Sequence, residues 1–232
     1  MYKFKNLKYN SMYKEYYLFR IFSFLLKILL FDLISIKNAR NLKNYISEIH
    51  LVIKGKGKQE IIRYGFNTYP SEVIVNGISK GNTCKQTCIL DENINNVTIK
   101  FDKQIKSCRN MFYNLEKIIE IDLSNFDASE VNNMKGMFGE CKNLEKINFG
   151  NINTSSVKKM DGLFVYCEKL ISIDLSNFDT SNINNIENMF YHCQSLIYLN
   201  LNSFHLNNSI TVNNIFKSIS SYVKICANDE II

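Results

Sequence analysis

The sequence predicts an α/β repeat solenoid, a coil of short parallel β-strands and short helices that follows a small β-rich cap. A 26-residue pattern occurs four times without an insertion, and a fifth, partial copy follows. The copies begin at Met111, Met137, Leu163, Met189 and Ile215. Fixed periods of 20–50 residues are typical of stacked supersecondary units, in which each copy buries its apolar side against the next.

The apolar spacing changes within each copy. From the end of the first copy into the second, steps of three or four residues connect Met134, Phe138, Cys141 and Leu144, which favours a short helix with one buried face. A step of two residues from Ile147 to Phe149 then indicates a brief strand. Stacking places like residues over like, so we expect one column of phenylalanine rings. Its members are Phe112, Phe138, Phe164, Phe190 and Phe216.

Residues 1–47 form a separate segment, a leader or N-terminal hydrophobic helix. Basic residues precede an apolar run that Lys27 and Asp32 interrupt. Three interpretations remain open: a secretory signal peptide, an uncleaved anchor that contacts a membrane through residues 18–36, and an amphipathic helix that covers the open end of the coil.

Residues 48–110 form the predicted β cap, and residues 111–232 form the predicted solenoid. The cap contains four β-rich runs bounded by Gly, Asn and the single proline, Pro70. A terminal cap of this kind closes the apolar face of the first copy. At the other end the pattern fades after Asn214, and an open strand edge there predicts weak self-association through the C-terminal end.

The segment LISIDL, Leu170 to Leu175, resembles the core of a leucine-rich repeat. The longer phrase IDLSNFDTSNINNIENMFYHC, Ile173 to Cys193, is similar to the BspA-like family of leucine-rich repeat surface proteins. The resemblance covers about half of the chain. It implies a right-handed solenoid displayed on the cell surface, where it adheres to host or matrix components.

The charge distribution argues against nucleic acid as a partner. The chain has a net charge of +6, but residues 1–47 hold nine basic and two acidic residues. The four full copies hold 7 basic and 12 acidic residues, a balance that repels a phosphate backbone.

The seven cysteines fall into two groups. Cys141, Cys167 and Cys193 share one place in successive copies, on the face expected to point inward, so we interpret them as buried packing residues. Cys84 and Cys88 lie between predicted strands. In a secreted chain they allow a disulfide, either with each other or with Cys108.

No catalytic, cofactor-binding or metal-binding motif appears in the sequence. His50, His192 and His205 lie outside any recognisable catalytic phrase, and we expect a non-enzymatic protein without a cofactor or metal.

The candidate binding site is instead the polar row on the exposed side of the repeat strands. We expect this row to present an ordered surface to a protein or glycan ligand, with Tyr198 as its main anchor. Its members are Glu120, Asp122, Ser124, Lys146, Asn148, Ser172, Asp174, Ser176, Tyr198, Asn200 and Asn202.

These observations predict a non-catalytic binding or adhesion module that is secreted or displayed on the cell surface. The alternative is a cytoplasmic scaffold for protein–protein interaction, with residues 1–47 as its helical cap.

Overall fold

The computed structural model describes residues 47–205 and 210–227. These ranges contain eleven strands and one three-residue 3-10 helix, Gly81–Thr83. The strands are β1 Ser47–Lys54, β2 Gly57–Glu60, β3 Glu72–Val75, β4 Ile78–Ser79, β5 Thr87–Leu90, β6 Ile94–Phe101, β7 Ile118–Asp122, β8 Lys146–Asn148, β9 Ser172–Asp174, β10 Tyr198–Leu201 and β11 Lys224–Ala227.

The strands form three sheets. A six-stranded mixed sheet has the order β4-β3-β6-β1-β7-β8, and a three-stranded parallel sheet has the order β11-β10-β9. Strands β2 and β5 form an antiparallel pair. The long strands β1 and β6 alternate buried and outward-facing residues, as expected for strands with one face on a core.

The predicted fold class, an α/β repeat solenoid of the leucine-rich-repeat kind, is wrong. The described residues are organised by mixed β-sheets and turns, and they contain no α-helix. The repeat strands do not form one parallel ladder, because β7 and β8 belong to the six-stranded sheet and β9, β10 and β11 form another. In addition, β7 pairs antiparallel with β1 from the N-terminal region.

Left-handed residues explain why the helical spacing does not produce helices. Gly136 and Glu140 both have a φ of +57°, and residues at the same two places in the neighbouring copies are also left-handed. Two such residues four positions apart interrupt any right-handed helix. The backbone N–H groups between them donate alternately within the copy and to the next copy. The N–H of Met137 donates to the carbonyl of Met134, and the N–H of Phe138 donates to the carbonyl of Leu163 in the next copy. Hydrogen bonds between copies therefore replace those of a helix.

The break between the two larger sheets coincides with a change in side-chain size. Leu123 and Leu175, at the ends of two repeat strands, each donate a backbone hydrogen bond to the following copy. At the equivalent place the second copy has Phe149, whose ring packs edge-on against Phe178 at a centroid distance of 4.9 Å. The division of the sheet thus falls at the copy that carries this larger ring.

The predicted phenylalanine column is confirmed. Successive rings from Phe112 to Phe216 stack nearly parallel, with centroid separations of 5.9, 5.5, 5.6 and 6.1 Å. The first four rings are fully buried, whereas Phe216 at the end of the column is half-buried. This column joins the copies even where the strand ladder is interrupted.

Residues 1–46 lie outside the described ranges, and the predicted leader with its apolar run 18–36 falls among them. Within the described ranges, no helix is long and apolar enough to cross a bilayer.

Candidate functional site

The outward sides of β6, β1, β7 and β8 together line a shallow groove of about 460 Å³. We call it the sheet-face groove. The outward side chains that line it are His50, Val52, Asn96, Thr98, Glu120, Asp122, Lys146 and Asn148.

Four of the predicted binding residues meet in the sheet-face groove. Strands β7 and β8 are parallel and in register, so Glu120 lies beside Lys146 and Asp122 lies beside Asn148. Like places in consecutive copies thus become neighbours across the strands, as the repeat pattern predicts.

The remaining predicted residues lie elsewhere. Ser172 and Asp174 are on β9 and are paired in register with Tyr198 and Asn200 on β10, in the separate three-stranded sheet. Three others follow the strands in the turns, namely Ser124, Ser176 and Asn202. The structure therefore divides eight of the eleven predicted residues between two sheets and places the other three in turns.

Two of the predicted residues are less exposed than expected. Asn200 is only 9% exposed, and Tyr198, the expected anchor, is half-buried. Both lie on β10, the central strand of its sheet, where β9 and β11 cover them on either side.

Asp122 is held by hydrogen bonds within the sheet-face groove. Its Oδ1 accepts hydrogen bonds from the backbone N–H of Ser124 at 2.8 Å and from the Asn148 amide at 3.2 Å. Burial acts to raise the pKa of Asp122, but these hydrogen bonds and the nearby His50 outweigh it and hold that pKa below its ordinary value.

Asp174 repeats this arrangement on the second sheet. Its Oδ1 accepts a hydrogen bond from the backbone N–H of Ser176 at 2.9 Å. The hydrogen bonds from Ser176, together with the Asn200 amide, outweigh burial and hold the pKa of Asp174 below its ordinary value. Both carboxylates are therefore ionised acceptors at neutral pH, suited to fixing the backbone turn and accepting hydrogen bonds from a ligand.

His50 is the main groove residue that the sequence did not indicate. Strand β1 places it between Thr98 on β6 and Asp122 on β7. Its Nδ1 is 2.9 Å from Thr98 Oγ1, and its Nε2 is 3.0 Å from Glu48 Oε1. The alternation of polar Glu48 and His50 with apolar neighbours signals an outward face. However, the antiparallel pairing with a repeat strand has no local sequence signal.

The cysteines occupy two environments. Cys141, Cys167 and Cys193 are buried, as predicted, and each thiol donates to the carbonyl of a column phenylalanine at 3.0–3.2 Å. Burial raises the pKa of Cys141 and of Cys193 to about 12, which keeps these thiols protonated and unreactive. Cys84 and Cys88 are joined in a disulfide, with their Cα atoms 4.8 Å apart.

No group of three or more His, Cys, Asp or Glu side chains within residues 47–205 and 210–227 is arranged to hold a metal ion. The geometry of the sheet-face groove offers fixed acceptors, a lysine and a histidine on a stable surface, an arrangement that can bind a polar ligand by hydrogen bonding.

Comparison with known proteins identifies a family. No curated protein and no solved structure matches the chain. A family model described as "Mycoplasma protein of unknown function, DUF285" matches residues 106–228, which is more than half of the chain and includes every copy of the repeat. The chain therefore belongs to this family of mycoplasma proteins of unknown function, DUF285.

Proposed function

We propose that the protein is a non-catalytic binding module, secreted or displayed on the cell surface, that holds a protein or glycan ligand on its sheet face. The observation that carries this proposal is the sheet-face groove, in which four paired strands present polar side chains already fixed by hydrogen bonds. A surface ordered before contact loses less conformational entropy on binding.

Two features hold the sheet face in place: a buried apolar core beneath it and hydrogen-bonded turns at the ends of its strands. Beneath it lie fully buried residues such as Ile49, Leu51 and Ile99. Along it, the backbone turns after Asp122 and Asn148 are closed by their own side chains. The groove is therefore a rigid, mixed-charge surface suited to a polar ligand.

Two further features support an extracellular location. The Cys84–Cys88 disulfide is typical of an oxidising compartment. The repeat phrase resembles BspA-like surface proteins, which display such repeats outside the cell.

A cytoplasmic scaffold is the second candidate, and the free thiols favour it. Five of the seven cysteines are unpaired, and Cys226 among them is only half-buried. Labelling intact cells with a membrane-impermeant biotin reagent and assaying the culture medium separates the two locations, because a cytoplasmic protein neither reacts nor appears in the medium.

Charge reversal tests the binding role. The full chain is screened against immobilised matrix proteins and glycans, together with the double variant Glu120→Lys, Lys146→Glu. The matched control is Glu130→Lys, Lys158→Glu, at two exposed positions outside the groove. We expect the groove variant to lose the ligand and the control to retain it. Equal retention by both variants contradicts the proposal.

Self-association through the C-terminal end stays a secondary proposal. Within the described residues, β11 pairs on one side only, and Tyr222 next to it is 88% exposed. Analytical ultracentrifugation of the full chain over a range of concentrations measures this self-association.

A further inference from the structure

A second groove lies where the N-terminal region meets the first repeat. It has a volume of about 800 Å³ and lies between residues 63–68 and residues 104–113. We call it the junction groove. The residues on which the following inference depends are Arg63, Tyr64, Asn67, Lys106, Ser107 and Arg109.

The junction groove is strongly basic in a body that is otherwise close to neutral. Arg63, Lys106 and Arg109 line it, and no carboxylate is among the described residues that do so. Arg63 approaches Glu60 at 3.6 Å, whereas Lys106 and Arg109 are exposed and form no ion pair with any described residue. Because the repeats that follow hold 7 basic and 12 acidic residues, this positive charge is local. Such a site attracts an anion.

The loop that forms one wall of the groove is fixed in place. The backbone N–H of Arg63 donates to Met111 of the first repeat at 2.8 Å, and that of Phe66 donates back to Arg63 at 3.0 Å. Phe66 is buried and anchors the loop from below. The Gln86 amide donates to the carbonyl of Phe66 at 3.1 Å.

The disulfide supports this wall. Gln86 lies inside the short loop that the Cys84–Cys88 disulfide closes, and its own carbonyl accepts a hydrogen bond from Ile61 at 2.8 Å. The neighbouring Lys85 places its ammonium 5.8 Å from the centre of the Tyr69 ring. The disulfide loop is thus hydrogen-bonded to the segment that carries Arg63 and Tyr64, so the backbone at these two residues is positioned before a ligand arrives.

The neutral residues of the groove indicate which anion fits. Asn67 and Ser107 line the groove with the cations and offer hydrogen-bonding groups, and Tyr64 is 79% exposed. Amides and hydroxyls match sugar hydroxyl groups, an exposed aromatic ring offers a flat apolar face, and guanidinium groups bind sulfate or carboxylate in a bidentate manner. A single exposed tyrosine is not the series of stacking platforms used for nucleic acids.

We propose that the junction groove binds an acidic polysaccharide through its sulfate or carboxylate groups. This site is separate from the sheet-face groove, and the inference does not depend on the function proposed for that groove.

Calorimetry on the full chain tests the inference with a heparin-derived hexasaccharide as the probe. The double variant Lys106→Gln, Arg109→Gln removes two cations of the groove. The matched control Lys169→Gln, Lys224→Gln removes two exposed cations elsewhere. We expect the groove variant to bind at least about tenfold more weakly, since each charge-assisted contact is comparable to a tenfold change in affinity. The control is expected to bind as the parent does, and the affinity of the parent should fall with added salt.

Several results overturn the inference. These are no binding by the parent, equal losses in the two variants, equal binding of a hexasaccharide that is both desulfated and carboxyl-reduced, and tighter binding of a single-stranded oligonucleotide. The sheet-face variant Glu120→Lys, Lys146→Glu should keep the hexasaccharide, so failure of one proposal is distinguishable from failure of the other. Circular dichroism melting of each variant confirms that the substitutions leave the fold intact.

Discussion

The hydroxyl of Thr154 bridges two copies of the repeat by bonding to both backbone groups of Asp179. Its Oγ1 accepts the N–H of Asp179 at 2.8 Å and donates to the Asp179 carbonyl at 3.2 Å. Thr180 makes the same pair of bonds with His205 in the next copy, and Ser47 makes them with Asp127. Buried hydroxyl groups thus link the N-terminal region to the first copy, the second copy to the third and the third to the fourth, whereas Ala128 takes this place in the first copy.

Substitution of Thr154 by valine keeps the shape of the side chain but removes these hydrogen bonds. Thr154 is 1% exposed, whereas Asp179 is exposed, so the N–H of Asp179 loses its side-chain partner at the edge of the core. We expect a loss of about 0.5–1.5 kcal/mol in the free energy of unfolding, measured by urea titration. Thr154→Ser keeps the hydroxyl and serves as the control. Equal losses for valine and serine would show that the hydroxyl bridge contributes little.

The phenylalanine column predicts that the loss of stability on substitution by alanine depends on where the ring lies in the column. Phe164 is fully buried between Phe138 and Phe190, whereas Phe216 has a ring partner on one side and is half-buried. We expect Phe164→Ala to lower the free energy of unfolding by about 3–5 kcal/mol. Phe216→Ala should cost clearly less, because its site is already open to water. Chemical denaturation of both variants measures the difference, and similar losses at the two sites would argue against a column that ends at Phe216.

The repeat phenylalanines and cysteines show which parts of the structure the sequence predicts well. Their burial follows from a fixed period and an apolar side chain in every copy. The helices were predicted wrongly because one of the two left-handed places in each full copy holds Asn114, Glu140, Tyr166 or His192, and Glu and Tyr seldom signal a positive φ. At the other left-handed place, Gly136 and Gly162 do signal a turn, but the helical spacing of the apolar residues outweighed them in the prediction.

The candidate site was predicted only in part, because some of its residues are brought together by the repeat and others by strand pairing between distant parts of the chain. Glu120 and Lys146 are neighbours because their copies stack, and the period alone places them together. His50 reaches the same groove through a pairing of strands about 70 residues apart in sequence, which depends on how complete strands fit together. The junction groove also depends on such non-local contacts, since Met111 and Gln86 both hold the loop that begins at Arg63.

Stability should fall in acid because several carboxylates have a lowered pKa in the folded state. The pKa values of Asp122, Asp127, Asp174 and Asp179 all lie below the ordinary value of 3.8. The unfolded chain therefore binds protons first as the pH falls. The stabilisation by these carboxylates is complete above about pH 5 and is lost progressively below about pH 4.

A variant with asparagine at all four positions checks this assignment, since asparagine keeps an oxygen acceptor for the turn but does not titrate. We expect its urea midpoint to change less between pH 5 and pH 3 than that of the parent chain. An unchanged pH dependence would contradict the role given to these four aspartates.

Thiol counting tests the cysteine assignments. Five cysteines are free and two form the Cys84–Cys88 disulfide, so the denatured, unreduced chain should react with five equivalents of a thiol reagent and the reduced chain with seven. In the folded protein we expect Cys226 to react and the buried Cys108, Cys141, Cys167 and Cys193 to be protected. Seven reactive thiols before reduction would show that the disulfide is absent and would favour the cytoplasmic alternative.

The central claim, that the sheet face is the binding surface, is tested most directly by site-specific photo-crosslinking. A photoreactive amino acid replaces Lys146 in the sheet-face groove in one version of the full chain, and Lys158, outside the groove, in another. After illumination in the presence of a ligand found in the binding screen, we expect a crosslinked product from position 146 and none from position 158. Crosslinking from position 158 alone would place the binding surface elsewhere and contradict the account.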